Sequence, residues 1–400
     1  MRAVRRFAPH AVTVLLVLAV VEGAAFVTMT RFLAGSPATR LDLDAFGYPP
    51  SQEDVDAFRR WGWDRELGWL LRPNVSDERA APGGGTWRYT IDARGARANP
   101  AGGAPGRVSA YGDSFTFGYE VNDDETWPYY LSTLTGLAVD NWGQSAWGPD
   151  QALLRLRRNL PAHRTDVVVL AVQSENVARL LNCYRPFLSR NEHMRLAFKP
   201  MLAWRDGALA WRPSPLARLE TPEDFTRAFA RARETDYWYA RNAARPAAGF
   251  PYVASAFGAL WCQIRACYRE DLWADAGAVA RLDFLVEDFA GLARAHDFVP
   301  VVLFIPEPRE LRRFARGRTV RYRGYVARLR ARRDLGRLRV VDVLDRPFDA
   351  PRFNLAPFKH HPSPYGQRVI AETLREALAD LLAGTPPLGV SPGETAAHRK

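Results

Sequence analysis

The stretch DVVVLAVQSEN, residues 166–176, is the strongest constraint on the fold. Its apolar run, Val167 to Val172, is unbroken. Successive side chains of a strand point to opposite faces, so such a run must be covered on both sides. That is the condition of a strand inside a parallel sheet, with helices above and below.

The flanking sequence repeats the pattern. RVSAYGDS (107–114) is a short strand ending at a serine, TWPYYLSTLTG (126–136) a helix closed by Gly136, LAVDNWG (137–143) a second strand and PDQALLRLRRNLP (149–161) an amphipathic helix. Regularity returns later. Residues 275–297 read as a helix, FVPVVLFIP (298–306) as a strand, 319–336 as a helix, LRVVDVL (338–344) as a strand and 363–384 as the last helix. Alternating strands and helices predict an α/β chain: a doubly wound, flavodoxin-like parallel sheet sandwiched by helices, with a helical insertion and a short β-rich N-terminal lead-in. Chemistry in such sheets sits beyond the strand C-termini. Ser114, Gly143 and Asn176 each follow a strand and His361 precedes the last helix, so topology alone brings these four positions to one edge.

Around this core the expected organisation is a basic segment with an apolar anchor (1–35), a lead-in and linker (36–106), the main domain (107–385) with an insertion at about 177–270, and a disordered tail (386–400). The lead-in holds short apolar pieces between Gly, Pro and Asn. The insertion is rich in Trp, Arg and Phe, with weak periodicity, and is expected to shape a cap or substrate wall.

MRAVRRFAPH is basic and precedes AVTVLLVLAVVEGAAFVTMT. That run has the roughly 20 residues needed to cross a bilayer core. The leading arginines belong on the cytoplasmic side, leaving the bulk of the chain outside, periplasmic or beyond. VEGAAF is a poor cleavage site and the run is long for a signal peptide, so an uncleaved, single-pass anchor is the expectation. Glu22 within the run is costly in lipid unless it lies at an interface or meets a partner helix.

The net charge of +11 comes almost entirely from arginine. No basic stripe is interleaved with aromatics, so nucleic acid is not the expected partner. The charge favours anionic lipid or cell-envelope polymers instead. Cys183, Cys262 and Cys267 allow one disulfide, with CQIRAC as the close pair. No Cys/His spacing resembles a zinc site, and no metal or organic cofactor is implied.

Ser114 has two readings, a nucleophile or a cap on the following helix. His361, beside Pro362, is a candidate base or a surface histidine, with His360 its immediate competitor. YGDSFTFGYEV, DNWGQSAWG, SENVARLLNCYRPF and HHPSPYGQRVIAETL, in that order, resemble the four motif blocks of the SGNH hydrolase superfamily, the GDSL-like esterases and acyltransferases. The likeness spans Arg107 to Ala383. The anchor and LGWLLRPN resemble membrane-anchored members. The resemblance implies Ser114 as nucleophile and His361, directly before Pro-Ser, as base, with Asp113 shaping the turn. It also implies an oxyanion hole from the Ser114 and Gly143 backbone N–H groups and an Asn side chain. The usual Gly-x-Asn-Asp block reads QSEN here, so either Asn176 donates one position later or Glu175 fills the slot.

One departure is clear. The family carries an Asp two or three residues before the base, where this chain has Lys359 and Phe358. Three outcomes stay open: a Ser–His dyad, an acid from elsewhere, with Asp342, Asp345 and Asp349 nearest in sequence, or lost activity. The expected function is a membrane-anchored extracytoplasmic serine esterase working through an acyl-enzyme on an acyl ester, such as an acylated glycan or lipid. The alternatives are an O-acyltransferase acting on an envelope polysaccharide and a catalytically degenerate SGNH-fold binding protein.

Overall fold

The computed structural model describes residues 2–33, 39–81, 84–102, 107–189, 191–245, 249–265, 271–354 and 360–382. The expected tail, and the Phe358 and Lys359 positions, lie outside the described residues. The chain opens on α1 (Arg2–Val27), α2 (Gln52–Trp61), the short antiparallel pair β1 (Trp63–Asp64) and β2 (Gly68–Trp69), and the hairpin of β3 (Val75–Ala80) and β4 (Thr86–Ile91). Then follow β5 (Val108–Tyr111), α3 (Ser114–Phe117), α4 (Trp127–Thr135), β6 (Val139–Asn141), α5 (Pro149–Asn159) and β7 (Val167–Gln173), which runs into a 3-10 helix, Ser174–Leu181. After α6 (Arg185–Ser189) come the hairpin of β8 (Met201–Arg205) and β9 (Ala208–Arg212), then α7 (Pro222–Thr235), α8 (Tyr237–Ala243) and α9 (Tyr252–Arg265). The chain ends with α10 (Ala276–His296), β10 (Val299–Ile305), α11 (Pro308–Ala315), α12 (Arg323–Ala331), β11 (Arg339–Asp342) and α13 (Pro364–Ala377), followed by a short turn of helix.

Five parallel strands form the central sheet in the order β11-β10-β7-β5-β6. Order reverses between β5 and β7, the switch point where such sheets open a crevice. Every residue of β5 and β7 is buried, as the unbroken apolar run of β7 requires. Leu153 and Leu156 of α5, Leu285 and Phe289 of α10, and Ile370 and Leu374 of α13 pack in the same core as these strands.

The lead-in and the insertion share a second apolar core. Val55, Phe58 and Trp69 pack with Tyr184, Phe225 and Phe229. The lead-in also joins the sheet: Arg97 N–H donates to the Asn141 carbonyl at 2.8 Å, extending β6 outward.

Among the described residues one helix is long and apolar enough to cross a membrane, Val12–Phe32. Within it Glu22 meets a partner. Its carboxylate accepts the Tyr252 and Val253 N–H groups that open α9, the latter at 3.1 Å. Phe26 packs edge-on against Tyr252 at 5.0 Å. Carboxylates satisfy helix N-terminal N–H groups well. One face of α9 leaves Phe257, Leu260, Trp261 and Ile264 exposed. Cys262 on this helix is disulfide-bonded, and Cys183 is free and buried.

Candidate active site

The turn after β5 is built by Gly112 and Asp113. A Cβ on Gly112 would lie 2.2 Å from Thr116 Oγ1 and 3.2 Å from Ala171 Cβ, so only glycine lets α3 start this close to β7. Asp113 caps α3 by accepting Phe115 N–H at 3.0 Å. Its other oxygen accepts Asn176 Nδ2 at 2.9 Å and Arg179 Nη1 at 3.4 Å. The buried aspartate thereby ties the serine turn to the segment after β7.

Ser114, the first residue of α3, is 6% exposed. His361 Nε2 stands 3.1 Å from its Oγ. His361 is held by the start of α13. Ser363 caps that helix, accepting Gly366 N–H at 3.1 Å, and donates its own N–H to the Phe353 carbonyl at 2.7 Å. The buried Gln367 accepts Trp127 N–H at 2.9 Å and donates to the Phe115 carbonyl at 3.4 Å, locking α13 onto α3 and α4. The imidazole lies against the rings of Tyr119 and Phe115, at 5.0 and 5.7 Å.

The other imidazole nitrogen meets a carboxylate. Glu120 Oε2 lies 3.0 Å from His361 Nδ1. An ionised carboxylate can only accept, so the tautomer that suits Glu120 has its proton on Nδ1 and presents Nε2 to accept from the Ser114 hydroxyl. The result is a hydrogen-bonded chain from Ser114 through His361 to Glu120, spread over two loops of one sheet edge.

Glu120 corrects the expected acid. Asp342 is buried, accepting the Tyr322 hydroxyl at 2.7 Å and Leu344 N–H at 3.0 Å. Burial raises its pKa, which its hydrogen bonds oppose. Asp345 pairs with Arg323 at 3.0 Å and with Arg330. Asp349 is exposed beside Tyr365. None of the three bonds His361.

Glu120 is remote from the histidine in sequence and sits only six residues past Ser114. Gly118 and Glu120 both take left-handed backbone, φ 81° and 74°, which turns the chain back on itself after α3. Such a conformation is unusual for Glu and needs support from its surroundings. Arg97 supplies it. Its buried guanidinium donates to the carbonyls of Phe117, Gly118 and Val121 at 2.5–2.6 Å and pairs with Asp123 at 2.8 Å.

Gly143 is not placed as a free donor. Its N–H donates to Asn141 Oδ1 at 3.0 Å, and a Cβ there would lie 2.3 Å from Phe117 N. Its smallness serves packing of the loop on α3. Three residues on, Ala146 takes left-handed backbone, φ 67°, and lines the same cleft as Ser114 and His361. Among the described residues the Ala146 and Ser114 N–H groups donate to no protein group. Asn176 is buried, with one Nδ2 hydrogen given to Asp113 and the other unassigned. Glu175 turns away, pairing with Arg179 at 3.2 Å.

No protein-family model matches the chain, and no curated protein matches it. Solved structures do. Two of them are described as lipolytic proteins of the G-D-S-L family. One, a G-D-S-L family protein from Desulfitobacterium hafniense DCB-2, is 15% identical, covering 68% of this chain and 98% of its own at a TM-score of 0.32. A member of the lipolytic protein G-D-S-L family from Veillonella parvula DSM 2008 is 10% identical over 68% and 97%, with a TM-score of 0.31. A family 3 carbohydrate esterase from Clostridium thermocellum is 13% identical over 70% and 98%, with a TM-score of 0.31.

Proposed function

We propose that this chain is an SGNH-type serine esterase with Ser114 as nucleophile, His361 as base and Glu120 as the acid that orients it. The hydrogen-bonded series Ser114–His361–Glu120 carries the proposal. Ser114 Oγ attacks an ester carbonyl while its proton passes to His361 Nε2. Glu120 holds the ring tautomer and stabilises the imidazolium that forms. The carbonyl oxygen becomes an anion, facing N–H donors from Ser114, Ala146 and Asn176 Nδ2. His361 returns the proton to the departing alkoxide, leaving an acyl-enzyme. Water then gives its proton to His361 and attacks the acyl carbon, releasing a carboxylic acid and restoring Ser114.

Glu120 beside His361 Nδ1 supports an active enzyme over a degenerate binding protein. An O-acyltransferase would share the first half-reaction, with a sugar hydroxyl in place of water. The decisive experiment treats the full-length protein and its Ser114→Ala variant with a fluorophosphonate probe and a short-chain chromogenic ester. Labelling and turnover are expected in the former and absent in the latter. Equal turnover in both would refute the assignment, and transfer to an added glycan in excess of hydrolysis would select the acyltransferase.

We further propose that α1 spans the bilayer with Arg2, Arg5 and Arg6 on the cytoplasmic side and the sheet domain on the extracytoplasmic side. The Glu22 carboxylate, otherwise costly at this depth, then serves as the cap of α9, whose apolar face rests on the lipid beside α1.

A further inference from the structure

The cleft that Ser114 and His361 line is wide, about 1170 Å³, and its charge is lopsided. Arg79, Arg179, Arg185 and Arg195 face it, against Asp42 and Asp54. Most of these charges are already engaged. Arg79 pairs with Asp77 at 2.8 Å, and Arg179 with Asp113 and Glu175. Asp54 accepts the Ser51 N–H at 3.0 Å at the start of α2, and Asp42 accepts Ala45 N–H at 3.2 Å.

Arg185 and Arg195 differ. Arg185 is 9% exposed, and its Nη1 is buried with no hydrogen-bond partner. Nε and Nη2 of Arg195 are likewise buried and unpartnered, while its guanidinium lies 5.6 Å from the Phe225 ring centre. Among the described residues neither forms an ion pair, although Glu175 and Asp113 act on Arg185 and Asp54 on Arg195 from farther away. Burial, with Arg179 adding repulsion, pulls the Arg185 pKa down to about 9. Guanidinium donors shielded from water and left unused are costly, and both residues, Arg185 buried and Arg195 half-buried, line the cleft. Each presents a planar fork of N–H groups that fits a carboxylate or phosphate. Both stand on the insertion, apart from the loops that hold Ser114, Glu120 and His361. Apolar side chains of the same cleft, Phe58, Trp61 and Leu196 among them, remain for the neutral part of a ligand.

We infer that Arg185 and Arg195 form an anion subsite, so that the preferred substrate is an ester bearing a permanent negative charge, carboxylate or phosphate, away from the scissile bond. This rests on the esterase reading above for the word substrate, but the anion subsite itself does not require turnover. The insertion then selects the ester and the sheet edge cleaves it.

The test uses full-length protein in detergent and three acetate esters of matched shape: 4-acetoxybenzoate, 4-acetoxyphenyl phosphate and the neutral 4-acetoxybenzamide. The anionic esters are expected to exceed the amide in kcat/KM by about tenfold or more, largely through KM, since hydrogen bonds to charged groups carry that much. The carboxylate and phosphate arms show which oxyanion fits better. In Arg185→Gln and Arg195→Gln the anionic-to-neutral ratio should fall towards one, and Arg185→Lys should retain part of it. The same esters are titrated against Ser114→Ala by calorimetry, with thermal unfolding midpoints reporting on folding. Equal kcat/KM for all three esters, or equal binding of all three by Ser114→Ala, overturns the anion subsite. A ratio unchanged in both glutamine variants also overturns it. Selective anion binding without turnover of any ester by the unmodified protein keeps the subsite and overturns the esterase reading.

Discussion

Arg97 holds the backbone on both sides of Glu120. Its guanidinium takes up the carbonyls of Phe117 and Gly118 before that residue and of Val121 after it. Arg97 belongs to the lead-in and Glu120 to the loop after α3, so a segment outside the sheet sets the orientation of a group at its edge. Replacing Arg97 by Met leaves three carbonyls unserved and Asp123 unpaired. We expect a loss of stability of about 3–5 kcal/mol, typical of breaking a buried pair, read by denaturant unfolding. Arg97→Lys, with a single ammonium, should recover only part of it. Where protein folds, kcat should fall more than KM rises.

Glu120→Gln keeps the shape but removes the charge that stabilises imidazolium. A fall in kcat of about 10²- to 10⁴-fold is expected. Asp345→Asn and Asp349→Asn should leave kcat/KM within about twofold, because neither side chain bonds His361. Steady-state kinetics on a chromogenic ester check all three, and a large loss in Asp349→Asn would displace Glu120 from its role.

Asn176→Ala removes a candidate oxyanion donor and one partner of Asp113. The expected loss in kcat is about 10²- to 10³-fold. Gly143→Ala should behave differently. Its Cβ would press on Phe117 N, so the cost, about 1–3 kcal/mol as in overpacked cores, should register in the unfolding midpoint as well as in activity. A Gly143→Ala protein with unaltered stability and lost activity would argue for a donor role at Gly143 instead.

Glu307, at the start of α11, is pushed up to about 7, chiefly by burial and then by the nearby Glu175. An acid whose folded pKa lies above its unfolded value near 4.5 keeps a proton that the unfolded chain releases. Its contribution to stability is therefore present below about pH 4.5 and is lost as pH rises towards 7. Glu307→Gln should flatten this part of the stability profile, with a higher unfolding midpoint than the parent at pH 8 and a smaller difference at pH 5.

Glu22→Ala removes the acceptor at the start of α9. Loss of such a cap costs about 1 kcal/mol locally. Hydrogen exchange of the Tyr252 and Val253 amides in nanodisc-embedded protein should accelerate, while Val301 and Val302 in β10 stay protected. Unchanged exchange at 252 and 253 would break the link between the two helices.

Much of the sheet is written in local pattern. The unbroken apolar run of β7 demanded cover on both faces, and Gly136, now at φ 73°, marked the end of α4. The SGNH-like blocks pointed to Ser114 and His361 because their neighbours, Gly-Asp before one and Pro-Ser after the other, are contiguous in the chain. Glu120 escaped because its usefulness depends on two left-handed residues and an arginine more than twenty positions upstream. Gly143 escaped differently: a glycine signals close approach, but not what approaches, and here it is the backbone of Phe117.

Hydrophobic periodicity acts over a few residues, so the sequence by itself determined the parallel sheet, the order of its helices and the edge where polar groups collect. The tertiary structure alone decided which carboxylate faces His361, across 241 residues, and which described arginines of the insertion line the cleft without an ion pair. Those outcomes depend on desolvation and on hydrogen-bond geometry between distant segments, and neither is defined until the chain has closed around them.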